Sequence, residues 1–162
     1  MHRIEGTPHG LGRRVAVVVA RFNQAVTDRL LEGTLEGLRS HGVREEDIRI
    51  VLVPGAFEIP MAAHEVAMRG GCDGVVCLGA VVRGETPHFE YVAAEAAGGI
   101  ARAMISTRVP MSFGVLTADT MAQALARAGG PVGNKGYEAA LTVLEMVDLL
   151  RRLRGTDLAP EA

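Results

Sequence analysis

The chain has 162 residues, 48% of them apolar and 22% charged, and a formal net charge of −2. That length suits one domain with a substantial core, and the near-neutral charge offers no basic surface for nucleic acid. No apolar run reaches the ~18 residues of a membrane span, and the opening MHRIEGTPHGLGRR lacks the apolar centre of a signal peptide. The expected setting is the cytoplasm, with no nucleic-acid and no membrane partner.

Four apolar runs organise the chain: VAVVVA from Val15, IRIVLV from Ile48, VVCLGAV from Val75 and MSFGVL from Met111. A stretch of helical character follows each. Residues 27–41 put Leu30, Leu31, Leu35 and Leu38 on one face. Residues 59–69 run to the stop signal Gly70-Gly71, and residues 89–107 are rich in alanine. Residues 119–128 open on Asp119 as the expected N-cap. A last helix over 136–153 carries Leu141, Leu144, Val147, Leu149 and Leu150. Near-continuous apolar strands alternating with helices predict a parallel sheet covered on both faces. The expected fold is α/β: a three-layer α/β/α sandwich around a four-stranded parallel sheet, flavodoxin-like, in a single domain over 1–162. Residues 1–13 and 155–162 read as flexible ends. Cys72 and Cys77 read as reduced core thiols rather than a disulfide or metal pair.

The unusual residues fall at the carboxyl ends of three of these strands, where open α/β sheets bind ligands. Arg21-Phe22-Asn23 follows the first, and Pro54-Gly55-Ala56-Phe57-Glu58 the second. A polar loop holding Arg83, Glu85, Thr86 and His88 follows the third. One edge of the sheet thus gathers two aromatics, a carboxylate, a hydroxyl and an imidazole. The chain has four Phe, two Tyr and no Trp, so two Phe in polar loops is an unusual use of them. A flat ring there can stack on a planar ligand.

Each residue taken alone has a plainer explanation. Phe22 or Phe57 is more often packing, by roughly two to one. His88 would cap a helix or lie on the surface about half the time. Glu58 fits a solvated or N-capping carboxylate, and Arg127 a solvated helix charge. Gly98-Gly99 inside a helix costs about 1 kcal/mol per glycine against alanine, and close helix–helix packing is the preferred reason. Lys135 is the one lysine among 17 basic residues. Chance explains that about as well as a need for a compact ammonium that arginine cannot mimic.

A phosphate-binding loop, a dinucleotide glycine fingerprint, a GxSxG turn and a metal-ligand spacing are all missing. Hydride transfer, nucleotide hydrolysis and metal hydrolysis lose weight accordingly.

At this point the motifs resemble a family. RFN at 21–23, PGAFEIP at 54–60, GAVVRGETPHFEYV at 79–92, FGVLTADT at 113–120 and RAG…GNKGYEAA over 127–140 are similar to the 6,7-dimethyl-8-ribityllumazine synthases. The resemblance spans roughly residues 13 to 153 and keeps the motif order. The archaeal-type riboflavin synthases are a neighbouring possibility, but the His-containing loop looks like the lumazine enzymes. A non-catalytic flavin-binding or shell protein on the same fold is the alternative from another class.

The resemblance implies condensation of 5-amino-6-(D-ribitylamino)uracil with 3,4-dihydroxy-2-butanone 4-phosphate, with no cofactor and no metal. It implies that Phe22 stacks on the pyrimidine, while Ala56, Phe57 and Glu58 hold the uracil and ribityl chain. Ala80, Val81 and Val82 would present backbone groups to the pyrimidine, and Glu85 and Thr86 would sit by the phosphate. His88 would be the catalytic proton-transfer residue. Phe113 and Arg127 would come from a neighbouring subunit, Arg127 binding phosphate, with Lys135 in support. It further implies a homo-oligomer of pentamers, with the Gly98-Gly99 helix lining the five-fold axis. The short RAGGPVGNKG connection matches members that assemble twelve pentamers into a shell. Riboflavin synthase is a candidate partner for such a shell.

Overall fold

A computed structural model describes residues 1–155. Four strands, β1 (Val15–Ala20), β2 (Ile48–Val53), β3 (Gly74–Val82) and β4 (Met111–Ala118), form one parallel sheet in the order β2-β1-β3-β4. The helices are α1 (Gln24–Ser40), α2 (Ile59–Met68), α3 (His88–Thr107), α4 (Met121–Ala126) and α5 (Lys135–Gly155). Alternation along β1 sorts the core. Val15, Val17 and Val19 pack with Leu30 and Leu38 of α1 and Leu144 of α5. Ala16, Val18 and Ala20 pack with Ile59 and Ala63 of α2 and Ala96 and Ile100 of α3. Strand residues point alternately to opposite faces, so a strand with helices on both sides must be apolar throughout. All six residues of β1 are buried. The result is the expected flavodoxin-like α/β/α sandwich.

Edge strand β2 behaves differently. Its Ile48 packs against the core beneath α1 and α5, but Ile50 and Leu52, further along the same face, do not, and are 45% and 61% exposed.

Two local expectations change. The fourth helix is capped by Thr120, not Asp119. Thr120 Oγ1 accepts from the Gln123 N–H at 3.2 Å, and Gln123 Oε1 accepts back from the Thr120 N–H at 3.3 Å, a capping box. Asp119 is instead engaged by Arg83, whose Nε donates to it at 2.8 Å. The helix also ends early, at Ala126, where a two-stranded antiparallel hairpin begins: β5 (Ala128–Gly130) and β6 (Gly133–Asn134). Gly129 and Gly133, with φ of 93° and 90°, supply left-handed backbone that a helix cannot continue through.

Gly99 has a packing reason inside the chain. A Cβ there would lie 2.6 Å from Cγ of Pro60, so α3 approaches α2 as closely as only glycine permits. Cys72 is half-buried and Cys77 buried, both as free thiols, and burial pushes Cys77 up to about 12. A thiol that hard to ionise is a poor nucleophile.

The N-terminal segment is tied to α5. The Thr7 N–H and hydroxyl donate to Asp148 Oδ2 at 3.0 and 3.2 Å, and Gly6 and Gly10 are buried. Of the ends read as flexible, 156–162 lie outside the described residues. Asp148 is 2% exposed and also accepts from Arg152 Nε at 2.8 Å. That bond, then the Thr7 N–H, draws its carboxyl down to about 2. An aspartate lowered from the ordinary ~3.9 stabilises the fold above about pH 4 and loses that contribution as pH falls toward 2. Asp148→Asn should therefore lower the melting midpoint near pH 7 and leave it almost unchanged near pH 2. An equal drop at both would point to packing rather than charge.

Candidate active site

The site starts from the backbone. The Arg21 N–H donates to Val53 O at 2.8 Å and the Phe22 N–H to Pro54 O at 3.0 Å. The β1–β2 ladder thereby continues past both strand ends and holds the two loops side by side. A short 3-10 turn, Ala56–Glu58, follows and leads into α2. A Cβ on Gly55 would sit 3.3 Å from Glu58 Oε2 and 4.0 Å from Phe22 Cβ, so Glu58 and Phe22 flank the space glycine leaves open. Phe22 is 71% and Phe57 59% exposed, so neither ring packs in the chain's own core. Glu58 is exposed and makes no side-chain cap to α2.

At the end of β3, Ala80 and Val81 are buried and Val82 half-buried. Asn23 Nδ2 donates to Ala80 O at 2.9 Å, joining the β1 and β3 ends. The loop then passes through Glu85 and Thr86, both exposed, to His88, the exposed first residue of α3. No side chain caps α3, so N–H groups of its first turn remain available to an anion. Arg83 braces this loop. Beyond Asp119, it lies 3.7 Å from Glu90 and 4.6 Å from the Phe89 ring centroid.

Phe22, Ala56, Phe57, Glu58, Ala80, Val81, Val82, Glu85, Thr86 and His88 thus fall at the carboxyl ends of three adjacent strands, β2, β1 and β3. Arg127 and Lys135 form a second group. The Lys135 N–H donates to Arg127 O at 2.9 Å across the β5–β6 hairpin, and Lys135 Nζ lies 3.0 Å from Glu138. Arg127 closes α4, with Nη1 donating to Gln123 O at 3.0 Å. Phe113 stands apart on edge strand β4, 49% exposed and opposite Cys77. From Cys77 to Val82 is about 16 Å of strand at ~3.3 Å per residue, so the chain does not bring its own Phe113 to its own His88 loop.

Reading the sequence missed two braces, Asn23 and the Arg83–Asp119 pair. RFN did place an asparagine just before a helix, but its partner lies 57 positions away.

The arrangement defines an α/β protein whose strand-end loops gather exposed rings, a carboxylate, an imidazole and an uncapped helix start along one edge of the sheet, the edge at which open α/β sheets bind ligands. The family model for 6,7-dimethyl-8-ribityllumazine synthase matches residues 12–151. A protein of Campylobacter lari named 6,7-dimethyl-8-ribityllumazine synthase is 51% identical over 141 residues, 87% of this chain and 90% of that one. The chain belongs to the 6,7-dimethyl-8-ribityllumazine synthase family, transferases of riboflavin biosynthesis. Among the described residues no helix is long and apolar enough to cross a membrane.

Proposed function

We propose that the chain condenses 5-amino-6-(D-ribitylamino)uracil with 3,4-dihydroxy-2-butanone 4-phosphate, giving 6,7-dimethyl-8-ribityllumazine, phosphate and water. One observation carries this beyond family membership: an exposed ring, a carboxylate and an imidazole on three adjacent strand ends, beside an uncapped helix start. The ring suits the pyrimidine, and Glu58 suits ribityl hydroxyls as acceptor. The amine attacks the ketone and water leaves to give an imine; phosphate is then eliminated, leaving an enol that tautomerises to a second ketone, and the ribityl-bearing nitrogen closes the ring on that carbonyl with loss of a second water. Those steps move protons at neutral pH, which suits His88. Holding two substrates in register supplies much of the rate. Mixing both substrates with the protein should release the green-fluorescent lumazine and phosphate. Product formation no faster than in protein-free buffer would reject the reading in favour of a non-catalytic relative.

The site is shared between subunits in this reading. A chain whose Phe113 cannot reach its own His88 loop needs another copy to supply one, which supports a ring with a heterologous interface. We propose pentamers, twelve of them closing into a shell of about sixty subunits, located in the cytoplasm, with riboflavin synthase as a candidate guest. Gly99→Leu is a poor probe of this, because it collides with Pro60 within one chain. Ala101, exposed on α3, is a better one. Ala101→Glu should break assembly, by self-repulsion of charges around an axis, and activity should fall with it. Light scattering showing a fully active monomer or dimer would sink both the assembly and the shared site. A fully active stable pentamer would sink the shell alone.

A further inference from the structure

We propose that Asn23 is a positioning residue, which locks the turn bearing Phe22 to the end of β3 and so fixes the ring against which a planar substrate lies. The inference rests on the reading under Proposed function. Asn23 occupies the N-cap of α1, where an asparagine side chain ordinarily accepts from N–H groups of the first turn. It makes no such bond. Its backbone is left-handed, φ 61° and ψ 48°, whereas an N-cap residue is ordinarily extended. Among the described residues only Arg108 is also a non-glycine residue with positive φ. Asparagine tolerates this conformation better than most side chains, but it is still an unfavourable one.

Both departures serve one contact. The left-handed turn aims Nδ2 across the sheet end, where it donates to Ala80 O at 2.9 Å. On the other side, the Phe22 N–H is held by Pro54 O at 3.0 Å. The Phe22 ring is 71% exposed, so side-chain packing contributes little to its position. Its placement depends on these two pins, a backbone bond to the end of β2 and a side-chain bond, from Asn23, to the end of β3. The same bond occupies one lone pair of the Ala80 carbonyl, one of the backbone groups offered to the pyrimidine. Residues held in sparsely populated backbone regions persist where the surroundings over-determine them, and they cluster at ligand sites.

Two substitutions separate the tie from the fold. Asn23→Gly keeps the left-handed backbone comfortable and removes only the donor. Asn23→Asp keeps size and shape but points a carboxylate oxygen at the Ala80 carbonyl. In both, the KM for the pyrimidine should rise at least about fivefold, the scale of one lost neutral hydrogen bond. The KM for the butanone phosphate should stay within about twofold, and the melting midpoint of Asn23→Gly close to wild type. Native-state exchange of the Phe22 amide should quicken in Asn23→Gly, a readout that needs no activity. A pyrimidine KM within about twofold of wild type in both variants would overturn the inference, as would equal rises in both KM values or an unchanged Phe22 amide. If the wild-type protein makes no lumazine, the functional reading fails by itself, and the exchange measurement still decides whether Asn23 holds the turn.

Discussion

His88→Ala should lower turnover by about 10- to 1000-fold while both substrates still bind, the range spanned by a general acid–base group. The imidazole is the first residue of α3, exposed and directly after the Arg83–Pro87 loop. It carries no packing of the core, so the substitution removes a proton carrier without opening a cavity. The pins on Phe22 and the uncapped start of α3 do not involve the imidazole and survive it, which is why binding persists. Residual reaction is expected, because two substrates in register still condense slowly. Turnover within twofold of wild type would remove His88 from the mechanism, and a parallel loss of pyrimidine affinity would recast it as a binding residue.

Arg127→Ala should raise the KM for the butanone phosphate by roughly ten- to a hundredfold, the equivalent of about 1.5–3 kcal/mol for a hydrogen bond to a charged group. The pyrimidine KM should move little. Arg127 spends one nitrogen on Gln123 O, and among the described residues no carboxylate pairs with it. A guanidinium left uncompensated in this way is free to meet a phosphate. Equal effects on both substrates would show that Arg127 shapes the cleft rather than binding the anion. Mixing Arg127→Ala chains with His88→Ala chains should restore part of the activity if the two residues serve one site from different subunits. No gain on mixing, in particles shown to contain both chains, would place both residues on the same chain's site.

The parallel strands were legible because burial on both faces leaves a near-continuous apolar run, as in VAVVVA of β1. Edge strand β2 reads the same way in sequence, and its exposed Ile50 and Leu52 could not be distinguished from buried residues. Periodicity reports what a strand can bury, not what covers it. The β5–β6 hairpin escaped notice because its strands have three and two residues, too few for any period. Asp119 and Thr120 are both good caps by type; an ion pair with Arg83, 36 positions distant, takes the first and leaves the second to the helix. In the site, two phenylalanines in polar loops were informative since apolar rings seldom belong there. Asn23 was visible as a letter but not as a brace, because its role lies in a left-handed turn and a carbonyl of another strand.

The open side of β2 sets a race during production of the protein. An unpaired strand edge offers N–H and C=O groups at alternate residues as a template for any other extended chain. On this edge Ile50 and Leu52 add a greasy flank, and Arg49 is the sole charged residue on the strand. Newly made chains at high local concentration can therefore grow on one another edge to edge before they find a productive neighbour. Yield is then governed by how fast chains are supplied relative to how fast the edge is covered, so slower synthesis favours assembled protein over precipitate.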